Sequence, residues 1–515
     1  MPGEPVQIGP FIGGLNTFSD PTSLADNQLT VCENFDLDLD GSLVSRPPFT
    51  VVSDGGMPLG ATGNVQLLGY FFDVGNVPYL IASDGLSSTY RWNGTTWTLI
   101  TSTFAATSMV QFDGKAWLLA PVGSASPGGY WTPGGGFTAD ADMPKGDSIV
   151  QFKARLWVAP GKSATSNPTR LYYSDVQGQP DLWPAAPDFI DIGAGDGQAL
   201  VSLLVYYSSL LIFRTNSIHN LQYTNDPASG AVNVVVPGVG LTDKNCVIAF
   251  ENYVYFMYDD KAYEFVNNRA SQLNVQVPFT AGSRAGIYQP YAVSKFNRRM
   301  VFSYWDRLYV FSLRTRTWTI WKSPSRGSIG KIVDLDDGTG DYEAYCFSSD
   351  EVAAGGGRSA ALLKIVDGFS AGASETFTCT VQTKNYNYEI GSKIKRLFWW
   401  GVEAVFRGEV FGQAVPIQFT QNGTWGQLLS STWGQLLGQT WGALTFDSYV
   451  IETTRDTTGS GAMRKFVKFR KSTRFRQIYF RVTFDSDGTP STSPVRLFQL
   501  LTHVKAKQTV SEAVS

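Results

Sequence analysis

Short runs in which apolar and polar residues alternate, each closing on an aromatic, return throughout the first two thirds of the chain. The clearest is Ile149-Val150-Gln151-Phe152, followed by Lys153-Ala154 and then Arg155-Leu156-Trp157-Val158. Alternation at period two turns one face of an extended segment toward a core, so the phrase predicts strand, tight turn, strand. It recurs at Leu67 to Tyr70, Met109 to Phe112, Leu203 to Tyr206, Val247 to Phe250 and Ala292 to Phe296, with the closing aromatics 42, 40, 54, 44 and 46 residues apart. A weaker copy begins near Ile329 and runs into Tyr342 to Phe347.

After each aromatic comes a second apolar run, such as Ala116 to Leu119, Leu210 to Phe213 or Val254 to Met257. A third follows at Ser88 to Trp92, Thr169 to Tyr173, Ser217 to Leu221 and Arg307 to Phe311, and a fourth at Thr96 to Ile100 and Thr317 to Trp321. Four short strands in each unit of about 40 to 50 residues are the pattern of β-propeller blades, which bury their faces against one another. Six blades fit the spacing best and seven come next. The repeats are degenerate, so strands of ordinary sandwiches at regular spacing are the alternative.

Beyond the glycine-rich stretch around residue 356 and the segment Phe369 to Ser374, the pattern changes. Phe377 to Thr383, Lys395 to Phe406, Ile478 to Phe484 and Val495 to Leu500 read as longer strands of an antiparallel β-sandwich. The expected division is an N-terminal arm and hairpin over 1–58 that helps close the propeller, a propeller over 59–370, and a sandwich-like domain over 371–515. The last carries a Trp-rich insertion at 421–446, where Thr-Trp-Gly recurs at period eight on Trp425, Trp433 and Trp441. That much aromatic surface must be buried, either within the sandwich or on a neighbouring subunit.

In the arm, Asp40-Gly41 between alternating residues predicts a hairpin with a two-residue type I′ turn. Asp36, Asp38, Asp40 and Gly41 also mimic the first half of an EF-hand loop, but the twelfth position, which should be a bidentate Glu, is Pro47. No metal is expected.

Composition strengthens the all-β reading: 33 Phe, 23 Tyr, 14 Trp and 52 Gly in 515 residues. A net charge of -3 requires no polyanionic partner. The four cysteines, Cys32, Cys246, Cys346 and Cys379, lack metal-ligand spacing and read as buried thiols. The N-terminus has neither the basic nor the apolar region of a secretory signal.

Chemistry is sparse. There is no G-x-S-x-G and no H-E-x-x-H, and of two histidines His219 sits in a predicted strand as a hydrogen-bonded structural residue. Gly193, Gly195 and Gly197 match neither a dinucleotide fingerprint nor a P-loop and mark a loop between blades. No cofactor is expected and no enzyme is indicated, although a propeller glycosidase would place its two acids on separate blades without any local motif. The strongest charged feature runs from Arg464 through Lys465, Lys468, Arg470 and Lys471 to Arg476, with interleaved aromatics and no acids. Together with Trp425, Trp433 and Trp441 it is the candidate subunit interface, with nucleic acid as the second reading.

Two stretches carry a family resemblance. One is Gly13-Gly14-Leu15-Asn16 with Asp20-Pro21, Asn34 and the hairpin from Asp40-Gly41 to Arg46-Pro47. The other is Leu171 to Asp175 through Trp183, Ile190 to Gly193, Gly197 and Leu210 to Phe213 with Ser217-Ile218. In order and spacing these resemble the propeller-containing tail proteins of tailed bacteriophages, in particular the tail nozzle or hub of short-tailed phages (tail tubular protein B-like), and related tail-tip minor proteins. They cover about a fifth of the chain.

The resemblance implies a virion structural protein, assembled in the host bacterial cytoplasm and residing in the virion tail. It implies a homo-oligomeric ring, six copies in a nozzle, around a channel through which genomic DNA passes without sequence recognition. Its partners would be the portal or adaptor above and tail fibre or spike proteins at its sides. The alternatives are a tail-tip protein that binds a receptor or glycan on the host cell surface, and a polysaccharide hydrolase.

Overall fold

A computed structural model describes residues 6–53, 65–179, 182–280, 291–322, 328–335, 343–349, 360–366, 375, 377–386, 395–405, 409–417, 451–456, 465–469, 473–475, 477–485 and 495–506. The chain divides into two compact units, one of residues 47–311 and 322–368, the other of residues 1–46, 312–321 and 369–515.

The first unit is a β-propeller. Blades 1 to 5 are four-stranded antiparallel meanders, for example Ser148–Phe152, Arg155–Ala159, Arg170–Tyr173 and Asp188–Asp191 in blade 3. Blade 6 contributes Tyr291–Phe296, Arg299–Tyr304 and Arg307–Ser312. The weak final repeat forms blade 7 from Val333–Leu335, Glu343–Ser349 and Ala360–Val366. The larger of the two expected blade counts is therefore the one that forms. The innermost strands of blades 1 to 7 touch in chain order, and that of blade 7 returns to Gln66–Phe72 of blade 1, so the ring is closed. An N-terminal strand, Phe49–Ser53, completes blade 7 by pairing with Ala360–Val366, Val51 opposite Leu363.

Apolar alternation supplies the packing between blades. Phe152, Trp157, Leu171 and Tyr173 of blade 3 meet Leu203, Leu210, Ile212 and Leu221 of blade 4 in one buried cluster, and comparable clusters join blades 7 to 1, 1 to 2 and 2 to 3. Each fully buried large side chain of this kind contributes roughly 1.5–3 kcal/mol. In blades 2 to 6 the closing aromatic ends an innermost strand and a two-residue turn follows, whereas in blade 1 the strand continues past Tyr70 to Phe72 and the loop spans residues 73–77. Asp113-Gly114, Lys153-Ala154 and Asn297-Arg298 all have positive φ at both positions, the geometry whose twist matches paired strands.

The second unit is a β-sandwich. One sheet is ordered Lys465–Phe469, Lys395–Val405, Arg496–Ala506, Leu43–Ser45, Phe35–Leu37. Facing it run Gln28–Glu33, Thr378–Thr383, Gln477–Asp485, Glu409–Ile417 and Ile451–Asp456. Trp400 of the first sheet lies 4.5 Å from Phe469 beside it and 5.2 Å from Phe480 of the second. Gly412 is required there, because a Cβ would stand 2.7 Å from both the Trp400 and Phe469 rings.

The arm expected over 1–58 is thus divided. Residues 1–46 supply strands to both sandwich sheets, and the propeller begins at Pro47. The segment 312–321 also belongs to the sandwich unit, where Asn34 donates its backbone N–H to the Ile320 carbonyl at 2.7 Å and Trp321 Nε1 donates to Asp36 Oδ1 at 2.9 Å. The hairpin between Phe35–Leu37 and Leu43–Ser45 forms with a three-residue loop rather than two. Asp38 pairs with Ser42, only Gly41 has positive φ (+79°), and the Asp40 carboxylate accepts the Ser42 N–H at 2.8 Å instead of entering the left-handed region. At the end of that hairpin Arg46, 1 % exposed, makes two bonds to Glu375 at 2.7 and 2.9 Å. Its Nε donates to Asn34 Oδ1 at 3.0 Å, and its guanidinium lies 4.1 Å from the Phe377 ring centre.

Candidate functional site

The innermost strands of a propeller begin at one end of its axis, and here those beginnings carry polar residues. Ser108, Ser148 and Ser202 stand four residues before the closing aromatic in blades 2, 3 and 4, and Ser294 two residues before it in blade 6. Their hydroxyls stitch each blade to the next. Ser148 Oγ accepts the Leu203 N–H at 3.1 Å, Ser202 Oγ donates to the Lys244 carbonyl at 3.2 Å, and Ser294 Oγ accepts the Ile332 N–H at 2.9 Å. Ser108 Oγ accepts the Ile149 N–H at 3.4 Å, and the Val293 N–H donates to the Asn245 carbonyl at 2.9 Å. The circuit closes through a charge, since Lys331 Nζ of the segment leading into blade 7 donates to the Leu68 carbonyl of blade 1 at 2.9 Å.

Inside this circuit lies a cavity of about 160 Å³, lined among others by Ser108, Asp147, Ser148, Ser202, Lys244 and Lys331. Lys244 Nζ stands 4.0 Å from Asp147 Oδ1. Burial pushes the Lys331 ammonium down to about 8, and Lys244 nearby adds to the effect. Burial also lowers Lys244, opposed by Asp147 and Asp243, and raises the Asp147 carboxyl, opposed by Lys244. These shifts have one cause: charged groups at the narrow axis are solvated by few waters, so their neutral forms gain. Gly161, with φ +90°, gives the Asp147 carboxylate its place, because any Cβ there would overlap it. The volume falls below the roughly 300–1,000 Å³ of sites for drug-sized ligands. It has room for a small polyatomic ion or a few waters.

No family model and no curated protein matches this chain. Among solved structures it is similar to the WD40 domain of Neurospora crassa Pan2, at 9% identity and a TM-score of 0.40 over 64% of this chain and 97% of that one. It is also similar to the β-propeller domain of Myceliophteria thermophila Cps50 (Swd1), at 9% identity and a TM-score of 0.39 over 62% of this chain and 100% of that one. A third is the extracellular domain of a hybrid two component system from B. thetaiotaomicron, at 11% identity and a TM-score of 0.41 over 70% of this chain. This chain spans only 43% of that domain's length. Likenesses at this level carry no argument about what the chain does.

Of the residues expected at a subunit interface, Trp425, Trp433, Trp441, Arg464, Arg470 and Lys471 lie outside the described residues. Lys465 and Lys468 fall in Lys465–Phe469, an edge strand of the sandwich paired with Lys395–Val405. Its Val467 and Phe469 are buried, so Phe469 of the basic run belongs to the sandwich core. His219 is structural, its Nε2 3.1 Å from Ser217 Oγ and 3.4 Å from Arg214 Nη1. Gly193 to Gly197 form an irregular loop whose Asp196 grips Arg214 Nη1 and Nη2 at 2.7 and 2.5 Å. All four cysteines are buried thiols that form no disulfide. The axial charges escaped detection because Asp147, Lys244 and Lys331 come from separate blades. The one trace in the sequence is a serine four residues before the closing aromatic in blades 2, 3 and 4.

Proposed function

We propose that the chain is a structural protein of a bacteriophage tail, a nozzle or hub subunit that does no catalysis. In this reading it forms a homo-oligomeric ring, joins a portal or adaptor to fibres or spikes, and lets genomic DNA pass. One observation supports it above the others: the residues that carry the resemblance are spent on scaffolding. Asn34 and Arg46, with Glu375, clamp the N-terminal arm to the strands of the sandwich. In the second stretch, Gly193 leaves room for Arg214, whose guanidinium would meet a Cβ at 2.5 Å, and Ser217 donates to Gln198 Oε1 at 2.9 Å beside it. Trp183 is fully buried, and Ser174 Oγ accepts the Leu156 N–H at 2.9 Å. A signature of this kind belongs to a rigid building block. The conduit would run between subunits, because a cavity of about 160 Å³ on the blade axis is far too small for DNA.

The test is mass spectrometry and electron microscopy of purified particles from a phage that encodes the chain. The protein is expected in the virion as a ring around a channel. Absence from particles, or a monomeric position in them, rules the reading out.

A second reading, a host-surface binder at a tail tip, has one observation in its favour. Tyr207 is 67% exposed at a blade turn, stacked edge-on against Tyr206 at 4.6 Å, with both hydroxyls hydrogen-bonded to Asn252. Such a fixed aromatic plate suits a sugar face. Binding on a glycan array that Tyr207→Ala abolishes would favour this reading, and silence of the array counts against it.

A further inference from the structure

We propose that the axial cavity of the propeller is a binding site for one small oxyanion, held between the ammonium groups of Lys331 and Lys244. Donors dominate the lining. Lys331 has three N–H bonds to give and, among the described residues, gives one to the Leu68 carbonyl. Ser108 accepts a backbone N–H bond from Ile149 and so retains an O–H to donate, whereas the Ser148 hydroxyl lies 3.4 Å from Ser202 Oγ.

The charges point the same way. Of the lining residues two are cationic and one, Asp147, is anionic; it stands beside Lys244, and among the described residues no carboxylate is paired with Lys331. Asp243 also acts on Lys244, although its carboxylate accepts the Asn245 N–H at 3.0 Å, and Lys295 is paired with Asp334 at 3.1 Å. An ammonium held in so confined a place without a counter-charge is costly. The depressed affinity of Lys331 for its proton records that cost, and a bound anion removes it. The class is set by volume and donor count: a phosphate or a short carboxylate fits about 160 Å³, a nucleotide does not.

The experiment titrates the full-length protein with inorganic phosphate or acetate against sodium chloride of matched ionic strength, following thermal unfolding. A saturable stabilisation by at least one of the two is expected. It should weaken by about tenfold in Lys331→Met, the loss of one charge-assisted contact, and remain unchanged in Lys261→Gln, a surface control. In a parallel measurement on the unsubstituted protein, acetylation of Lys331 at pH 8 is read by peptide mass spectrometry. The oxyanion that stabilises should slow it, and chloride should not. Equal stabilisation of the folded Lys331→Met variant overturns the site. So does the lack of any saturable effect, or acetylation indifferent to both oxyanions. Presence of the protein in virions bears on none of these outcomes.

Discussion

At Lys153-Ala154 two residues with side chains occupy a turn that needs φ +49° and +57°. The left-handed region costs a residue with a Cβ roughly 1–2 kcal/mol, and glycine relieves that cost while giving back part of it as unfolded-chain entropy. Ala154→Gly is therefore expected to stabilise the protein by about 0.5–1 kcal/mol, measured by urea unfolding. Lys153 is less replaceable, since its ammonium lies 4.6 Å from the Tyr223 ring centre and donates to the Tyr223 carbonyl. A second residue-scale expectation concerns His219, whose affinity for a proton is lowered by burial and then by Arg214, with Asp196 opposing. Its folded value lies below the unfolded 6.5, so the stability it contributes is complete above pH 6.5 and lost as pH falls through the folded value. Unfolding temperature should drop more steeply between pH 7 and pH 5 in the natural protein than in His219→Gln. Equal slopes would show that the imidazole is not the group responsible.

Among elements, the hairpin Phe35–Leu37 and Leu43–Ser45 depends on the ion pair behind it. Removing one partner of a buried pair leaves an uncompensated charge and costs about 3–5 kcal/mol. Arg46→Met should lose that much in urea unfolding, and the double variant Arg46→Met, Glu375→Leu should recover most of it. The hairpin itself was legible from Asp40-Gly41, but its loop length was not, because the choice turns on whether Asp40 enters the left-handed region or accepts a bond from Ser42. Strand alternation made the blades legible for the same reason that it makes them stable, as each anchor aromatic both marks the repeat and fills the space between neighbours. Blade 7 is faint in the sequence because one of its strands, Phe49–Ser53, lies far away in the chain, so no local repeat is complete there. Likewise nothing local in Asp147, Lys244 or Lys331 distinguishes them from surface charges. They gain meaning only when seven strand starts converge on one axis.

For the propeller as a whole, closure is the property on which the rest depends. Phe49 is 2% exposed and pairs opposite Ile365, and deleting a buried ring of this kind costs about 3–5 kcal/mol. Phe49→Ala is expected to lose that amount and to speed amide exchange first in Glu343–Ser349 and Ala360–Val366, ahead of blades 2 to 4. Uniform acceleration across all blades would mean that the closing strand is no weaker point than the others. Closure also fixes the geometry of the axial lysines, since Lys331 reaches Leu68 only when blade 7 meets blade 1.

Phe49–Ser53 leaves the ribosome before any blade exists, and its partner strand is made about three hundred residues later. Until then an apolar edge must wait unpaired, the situation in which long-range pairing is slow and association between nascent chains competes with it. Synthesis of this protein on crowded polysomes therefore gives two neighbouring chains the opportunity to exchange their first strands. Its yield of correctly closed monomers should depend on translation rate more than its final stability would suggest.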